Sequence, residues 1–214
     1  MRRYSKPEIW SARLSALGTI MSAAGIAWLL ADAFAAGSRV HIVTFIVYGV
    51  GLLSMFTASA VFHYHAGEER LLWKHIDYAA IALMIAGNFT PFCSLALDTF
   101  FAYCVLSVVW VVAIAAITLR IARPDLPKWS FITAYLIMGW LGILIAPALW
   151  DVLELKGSFL TLFGGGLYTF GTIVFNRYEG DVEPPGFGFH ELWHICILAG
   201  AGVHFWVVRL YMLP

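Results

Sequence analysis

The sequence predicts an all-α membrane protein, a single domain built as a seven-transmembrane helical bundle. Three observations carry this expectation. Of 214 residues, 61% are hydrophobic and only 12% are charged, whereas a soluble chain is about half apolar and could not bury so large an excess. Apolar runs near the ~20 residues that cross a bilayer core recur along the whole chain. The aromatic content is 16%, with nine Trp, which suits the belts found at membrane interfaces.

The first run, 14–31, follows a short basic stretch holding Arg2, Arg3 and Lys6. Ala33-Phe34-Ala35 mimics a signal-peptidase site, but the run exceeds the ~7–15 residues of a signal core and similar runs follow it. It reads as a retained span. Further spans are expected at 40–64, 75–97, 100–121, 129–149, 158–175 and 189–210. Between them lie turn or charge signals: Gly37-Ser38-Arg39, Gly67-Glu68-Glu69-Arg70, Asp98-Thr99, Pro124-Asp125-Leu126-Pro127-Lys128, Glu154-Leu155-Lys156-Gly157 and the longer loop 176–188. No repeat divides the chain, so residues 1–214 form one domain.

Orientation follows from the basic residues. One side of the expected bundle carries Arg2, Arg3, Lys6, Arg13, Arg70, Lys74, Arg120, Arg123, Lys128 and Arg177. The other carries Arg39, Lys156 and Arg209, a split of ten to three among the 13 Lys and Arg. The positive side faces the cytoplasm, which puts the N-terminus inside and the C-terminus outside. A formal net charge of zero leaves no basic stripe for nucleic acid. Cys93, Cys104 and Cys196 sit inside apolar runs at no metal-binding spacing and read as small core residues.

Polar residues inside spans are costly, so their positions are informative. His190 and His194, four apart at the start of the seventh span, share one helical face. Alternating spans bring the end of the second and the start of the third to the same leaflet, with His63 and Asp77 at those ends. Ser59 lies one turn before His63. Three histidines holding zinc leave one tetrahedral position for water, the open arrangement of a catalytic site, and zinc can lower that water's pKa to about 7. Asp77 is then a candidate to hold the water and take its proton, with Ser59 to hydrogen-bond the site or a polarised carbonyl. Simpler roles exist: Asp77 as an acid favoured at a helix N-terminus, Ser59 as a small residue for close helix contact. His204 lies about 15 Å deeper than His194, and His41 about 33 Å from His63; both read as hydrogen-bonded packing residues.

The matching pieces Ser59-Ala60-Val61-Phe62-His63, Asp77-Tyr78 through Ile85-Ala86-Gly87-Asn88-Phe89-Thr90-Pro91-Phe92, and His190-x-x-Trp193-His194 with His204-Phe205 resemble the hemolysin-III branch of the progestin and adipoQ receptor family. That family includes the adiponectin receptors. The resemblance implies that His63, His190 and His194 bind zinc, that Asp77 contacts its water, and that Ser59 stands beside it. It also implies a ceramidase-like hydrolase of lipid amides or esters, with a membrane lipid as substrate, in a bacterial inner (plasma) membrane. Many hemolysin-III-like chains carry an acid and a histidine ahead of the first helix; here Glu8 stands for the acid, while Ser15 or Ala16 occupies the histidine's neighbourhood. The long receptor N-terminal domain has no counterpart, so hormone binding is not expected.

Two other functions compete. One is a non-enzymatic receptor or membrane-perturbing protein in which zinc only pins three helices. The other is an intramembrane metalloprotease, since His190-Glu191-Leu192-Trp193-His194 fits H-E-x-x-H with Glu191 as base. Glu191 otherwise reads as a first-turn helix acid.

Overall fold

A computed structural model of the chain has every long apolar run as helix, the form in which a backbone in hydrocarbon bonds its own N–H and C=O groups. The structure describes residues 8–65, 69–123, 125–178 and 188–214, and no strand occurs among them. Helix α1 covers Ile9–Ala35, α2 Arg39–Tyr64, α3 Glu69–Pro91, α4 Phe100–Ala122, α5 Lys128–Trp140, α6 Gly142–Tyr178 and α7 Phe189–Tyr211. Local chemistry explains the breaks. Gly37 takes φ 66 between α1 and α2, a conformation open to a residue without Cβ. Pro91 ends α3, a π-helical turn Phe92–Leu97 follows, and Asp98 turns left-handed at φ 45. Thr99 then caps α4, its hydroxyl accepting from the Ala102 N–H at 3.2 Å.

The described residues contain six helical segments long and apolar enough to cross a membrane. Five of them each correspond to one expected span. The remaining segment, Lys128–Tyr178, is 51 residues long, about 77 Å if straight, against a hydrocarbon core of ~30 Å. It is interrupted at Leu141 and again at Glu154, where φ 56 and ψ 179 are not helical. The sequence led us to expect an unbroken helix over 129–149 and a polar connection at 154–157. The break at Glu154 falls in that expected connection, but the helix also breaks inside 129–149, at an apolar residue that carries no turn signal. Gly157 stays helical and is buried, and its absent side chain leaves room for the Tyr211 ring.

Two other boundaries matter for the site. Helix α1 begins at Ile9 rather than near residue 14, and α3 begins at Glu69 rather than 75. Asp77 therefore sits in the third turn of α3, beyond the first-turn reach of the helix dipole, and its burial needs another explanation. Residues 1–7, with Arg2, Arg3 and Lys6, and most of the 176–188 loop lie outside the described residues.

Helix α2 packs between α1 and α3, α7 packs on α6, and α1 also meets α7. The approach of α2 to α3 is set by glycine. A Cβ on Gly51 would stand 3.1 Å from the Leu83 carbonyl oxygen, and one on Gly87 3.1 Å from that of Val47. Both obstacles are backbone, so neither can swing away. Small residues that allow such contact are the usual basis of close helix pairing in membranes, and this pairing brings the His63 end of α2 to Asp77 on α3. Gly87→Leu should force the helices apart and lower stability by about 1–3 kcal/mol. Gly202→Ala, where nothing lies within 4 Å, should leave thermal unfolding of the detergent-solubilised protein unchanged. Equal melting temperatures for the two variants would show that the glycines do not set this contact.

Candidate metal centre

Helices α2 and α7 deliver three histidines to one point: His63 from the last turn of α2, His190 and His194 from the first two turns of α7. Their ligand-capable nitrogens all lie within 4.8 Å of one another, and His63 Nε2 is 3.2 Å from His194 Nε2. One turn apart on α7, His190 and His194 stack at 5.0 Å with planes 5° apart. The His63 ring stands edge-on to each of them at 4.8 Å. His63 is fully buried and His194 nearly so. Two nitrogens on a tetrahedral metal of zinc's bond length would stand about 3.3 Å apart, so the His63–His194 pair already has the spacing of metal ligands.

Around this trio lies a second layer of polar groups. Glu8, the residue that precedes α1, places Oε2 2.5 Å from His63 Nδ1, and its other oxygen accepts from Arg70. Its backbone N–H also donates to the His63 carbonyl at 2.9 Å. Burial by itself would raise the Glu8 pKa, but the hydrogen bond from His63, together with the Arg70 guanidinium, outweighs it and holds the carboxyl down at about 2. From α1, Ser15 Oγ lies 3.3 Å from His194 Nδ1 and 3.0 Å from Ser59 Oγ. Ser59 in turn reaches the Asp77 carboxyl. Asp77 is almost wholly buried, and both residues line a cavity of ≈ 230 Å³ whose wall also includes His194 and is otherwise mainly apolar.

Glu191 has a separate place. Its Oε1 accepts from the Ser11 hydroxyl at 2.8 Å and its Oε2 from the Gly188 N–H at 2.9 Å. With both oxygens engaged, it caps α7 and ties that helix to α1. His204 is deeper in the bundle, bonded to the Asn88 side chain at 2.8 Å and the Thr161 carbonyl at 2.9 Å. Gly164 makes room for it, since a Cβ there would fall 2.6 Å from the imidazole. His41 pairs with Ser38 at 2.7 Å.

A protein-family model described as Haemolysin-III related matches residues 7–205. The chain belongs to the hemolysin-III family. It is 32% identical to Hemolysin-3 of Bacillus cereus over 215 aligned residues, covering 100% of this chain and 95% of that protein. It is 30% identical to the Hemolysin-3 homolog of Bacillus subtilis strain 168 over 210, covering 96% and 94%. The part of the chain that matches the hemolysin-III model thus includes Glu8 and Ser15 as well as all three histidines. The polar positions of α1 were only half visible in the sequence. Glu8 stood out as an acid and Ser15 as one occupant of the place where related chains carry a histidine, whereas nothing in the sequence singled out Ser11. The available signal was their spacing: 8, 11 and 15 fall on one helical face.

The deeper cluster gives a test of its own. His204→Ala should lower stability by about 2–4 kcal/mol, because it opens a void and leaves Asn88 and the Thr161 carbonyl without their buried partner. Metal content, measured on the same purified protein, should stay at the wild-type level.

Proposed function

We propose that this hemolysin-III protein is a membrane-embedded zinc hydrolase of a lipid amide or ester. The observation that carries the proposal is the approach of His63 Nε2 to His194 Nε2 at 3.2 Å with His190 alongside, next to a buried carboxyl on the wall of an apolar cavity. Three imidazoles suit zinc and leave a fourth position open. Bound there, zinc would supply a water activated at neutral pH and a Lewis acid for a carbonyl oxygen.

The chain's own groups have distinct parts to play. Asp77 positions the attacking water and takes its proton. Ser59, between Asp77 and Ser15, gives its single hydroxyl proton either to that carboxyl or to the carbonyl oxygen of the substrate. The apolar wall takes the hydrocarbon part of the substrate and keeps bulk water away from it. The cavity is bounded in part by α5 and α6, including Tyr135, Gly139 and Leu162. Helix α5 packs only lightly on α3, α4 and α6, so this side suits lateral entry from the bilayer. The ceramide-type chemistry implied by the wider family resemblance fits these features. A protease built on His190-x-x-x-His194 fits less well, since both Glu191 oxygens are already hydrogen-bonded.

The proposal includes a topology. Lys128–Tyr178 crosses twice with its turn near Glu154, giving seven crossings, a cytoplasmic N-terminus and the metal centre in the cytoplasmic leaflet. A cysteine introduced in the 176–188 loop should react with an impermeant thiol reagent only from the cytoplasmic side. Reaction from outside would invert the arrangement.

Purified protein should carry about one zinc, and His63→Ala, His190→Ala or His194→Ala should each weaken its retention. Asp77→Ala should keep most of the metal while turnover of a lipid amide or ester falls by ~10²–10⁴, the usual cost of losing a positioned general base. Glu191→Gln should remain active at matched zinc occupancy and folded yield. Folded, zinc-loaded wild type that hydrolyses no lipid across a broad panel would replace the enzyme with a zinc-pinned scaffold.

A further inference from the structure

Helix α1 supplies none of the three histidines, yet its buried polar side chains converge on them. Glu8, Ser11 and Ser15 follow at spacings of three and four, hence on one face. Ser11 and Ser15 are almost completely buried in a helix whose remaining buried residues are small or aliphatic. Helix packing alone would be served equally well by alanine. A hydroxyl in such a place needs a partner, and each of these has one: Ser11 on Glu191, Ser15 on His194 and Ser59.

We infer that the start of α1 is the outer shell of the histidine centre, in which Glu8 fixes the proton of His63 on Nδ1 and so holds its Nε2 lone pair toward the shared point, while Ser15 places the His194 ring. The metal-binding consequence rests on the zinc proposal above; the orienting role does not. The direction of the hydrogen bond at His63 decides the matter. A carboxylate only accepts, so the proton in the Glu8–His63 contact belongs to His63 Nδ1, and Nε2 is left as the acceptor. Ser15 Oγ meets His194 Nδ1 at 3.3 Å, and a hydroxyl can either donate to that nitrogen or accept from it, so this contact places the ring and leaves its tautomer to whatever binds at Nε2.

His63 thus presents a bare Nε2 to His194 Nε2 at 3.2 Å, through a contact made by a residue outside its own helix. Outer partners of this kind fix ring orientation and raise ligand basicity, and their loss typically costs 10–100-fold in metal affinity. Ser11 belongs to the same face but acts one step away. It holds Glu191 at the head of α7 and touches neither ring, which makes it the control.

The test uses full-length protein labelled with ¹⁵N-histidine in lipid bilayers, free of metal, at a pH where imidazoles are neutral. Nitrogen shifts report the tautomer of each ring. Wild type should show Nδ1–H with bare Nε2 for His63. Glu8→Ala should return His63 to a mixture of tautomers, and Glu8→Asp should recover part of the wild-type signal. Ser11→Ala should leave His63 unchanged. On zinc titration with a competing chelator, Glu8→Ala should bind 10–100-fold more weakly than wild type. His63 carrying its proton on Nε2 in wild type, or keeping Nδ1–H in Glu8→Ala, would overturn the inference. Tautomers that respond as stated in a protein that binds no zinc would uphold the orienting role and sink the zinc hydrolase instead.

Discussion

Two imidazole nitrogens 3.2 Å apart in a buried place repel unless a proton or a cation lies between them, and in a low-dielectric interior that repulsion is not screened. The bundle is arranged to bring about this contact. Helix α2 must end beside the start of α7, which requires α1 and α3 to hold α2 from both sides. The α2–α3 distance rests on backbone meeting backbone at Gly51 and Gly87, a hard stop rather than a deformable layer of side chains. On the opposite side, α1 contributes small residues and hydroxyls. The centre therefore has a firm wall and a hydrogen-bonding wall.

The hydrogen bonds show the same economy elsewhere in the bundle interior. Each histidine buried there meets a group from a different helix: His63 through Glu8, His194 through Ser15, His204 through Asn88 and Thr161. A polar group in hydrocarbon costs several kcal/mol without a partner, so such contacts fix helix rotation as strictly as shape does. The difference between the sites is one of composition. The His204 site is closed by an amide and a carbonyl, whereas at the His63 site imidazole nitrogens confront one another with a carboxyl close by. The first is closed by its own partners, and the second is where the proposed zinc site lies.

Much of this was readable from the sequence, and the limits have physical causes. Apolar runs of bilayer length exposed the helices, because hydrocarbon enforces both their length and their composition. Histidines and Asp77 stood out because charge-capable groups are rare inside spans, and helical periodicity then aligned His190 with His194. The break at Leu141 left no trace, since the residue is apolar and its neighbours Trp140 and Gly142 are ordinary in a span. The start of α3 was misjudged because Glu69-Arg70 looked like a loop, although charged residues extend helices freely once they leave the hydrocarbon. The role of Ser15 was hidden by its ambiguity: serine is both a small packing residue and a hydrogen-bonding one, and only the position of His194 distinguishes the two.

The bond between Ser11 and Glu191 spans 180 residues of chain, nearly its whole length. During synthesis the first helix enters the membrane long before the seventh exists. Until then the Ser11 hydroxyl lacks its Glu191 partner, Ser15 has only Ser59 of α2, and Glu8 and His63 form a half-built edge. Arrival of α7 supplies Glu191 and His194 together and completes both contacts in one event. A chain stopped short of α7 keeps a polar stripe on an apolar helix, a mark by which membrane quality control can tell an unfinished product from a finished one.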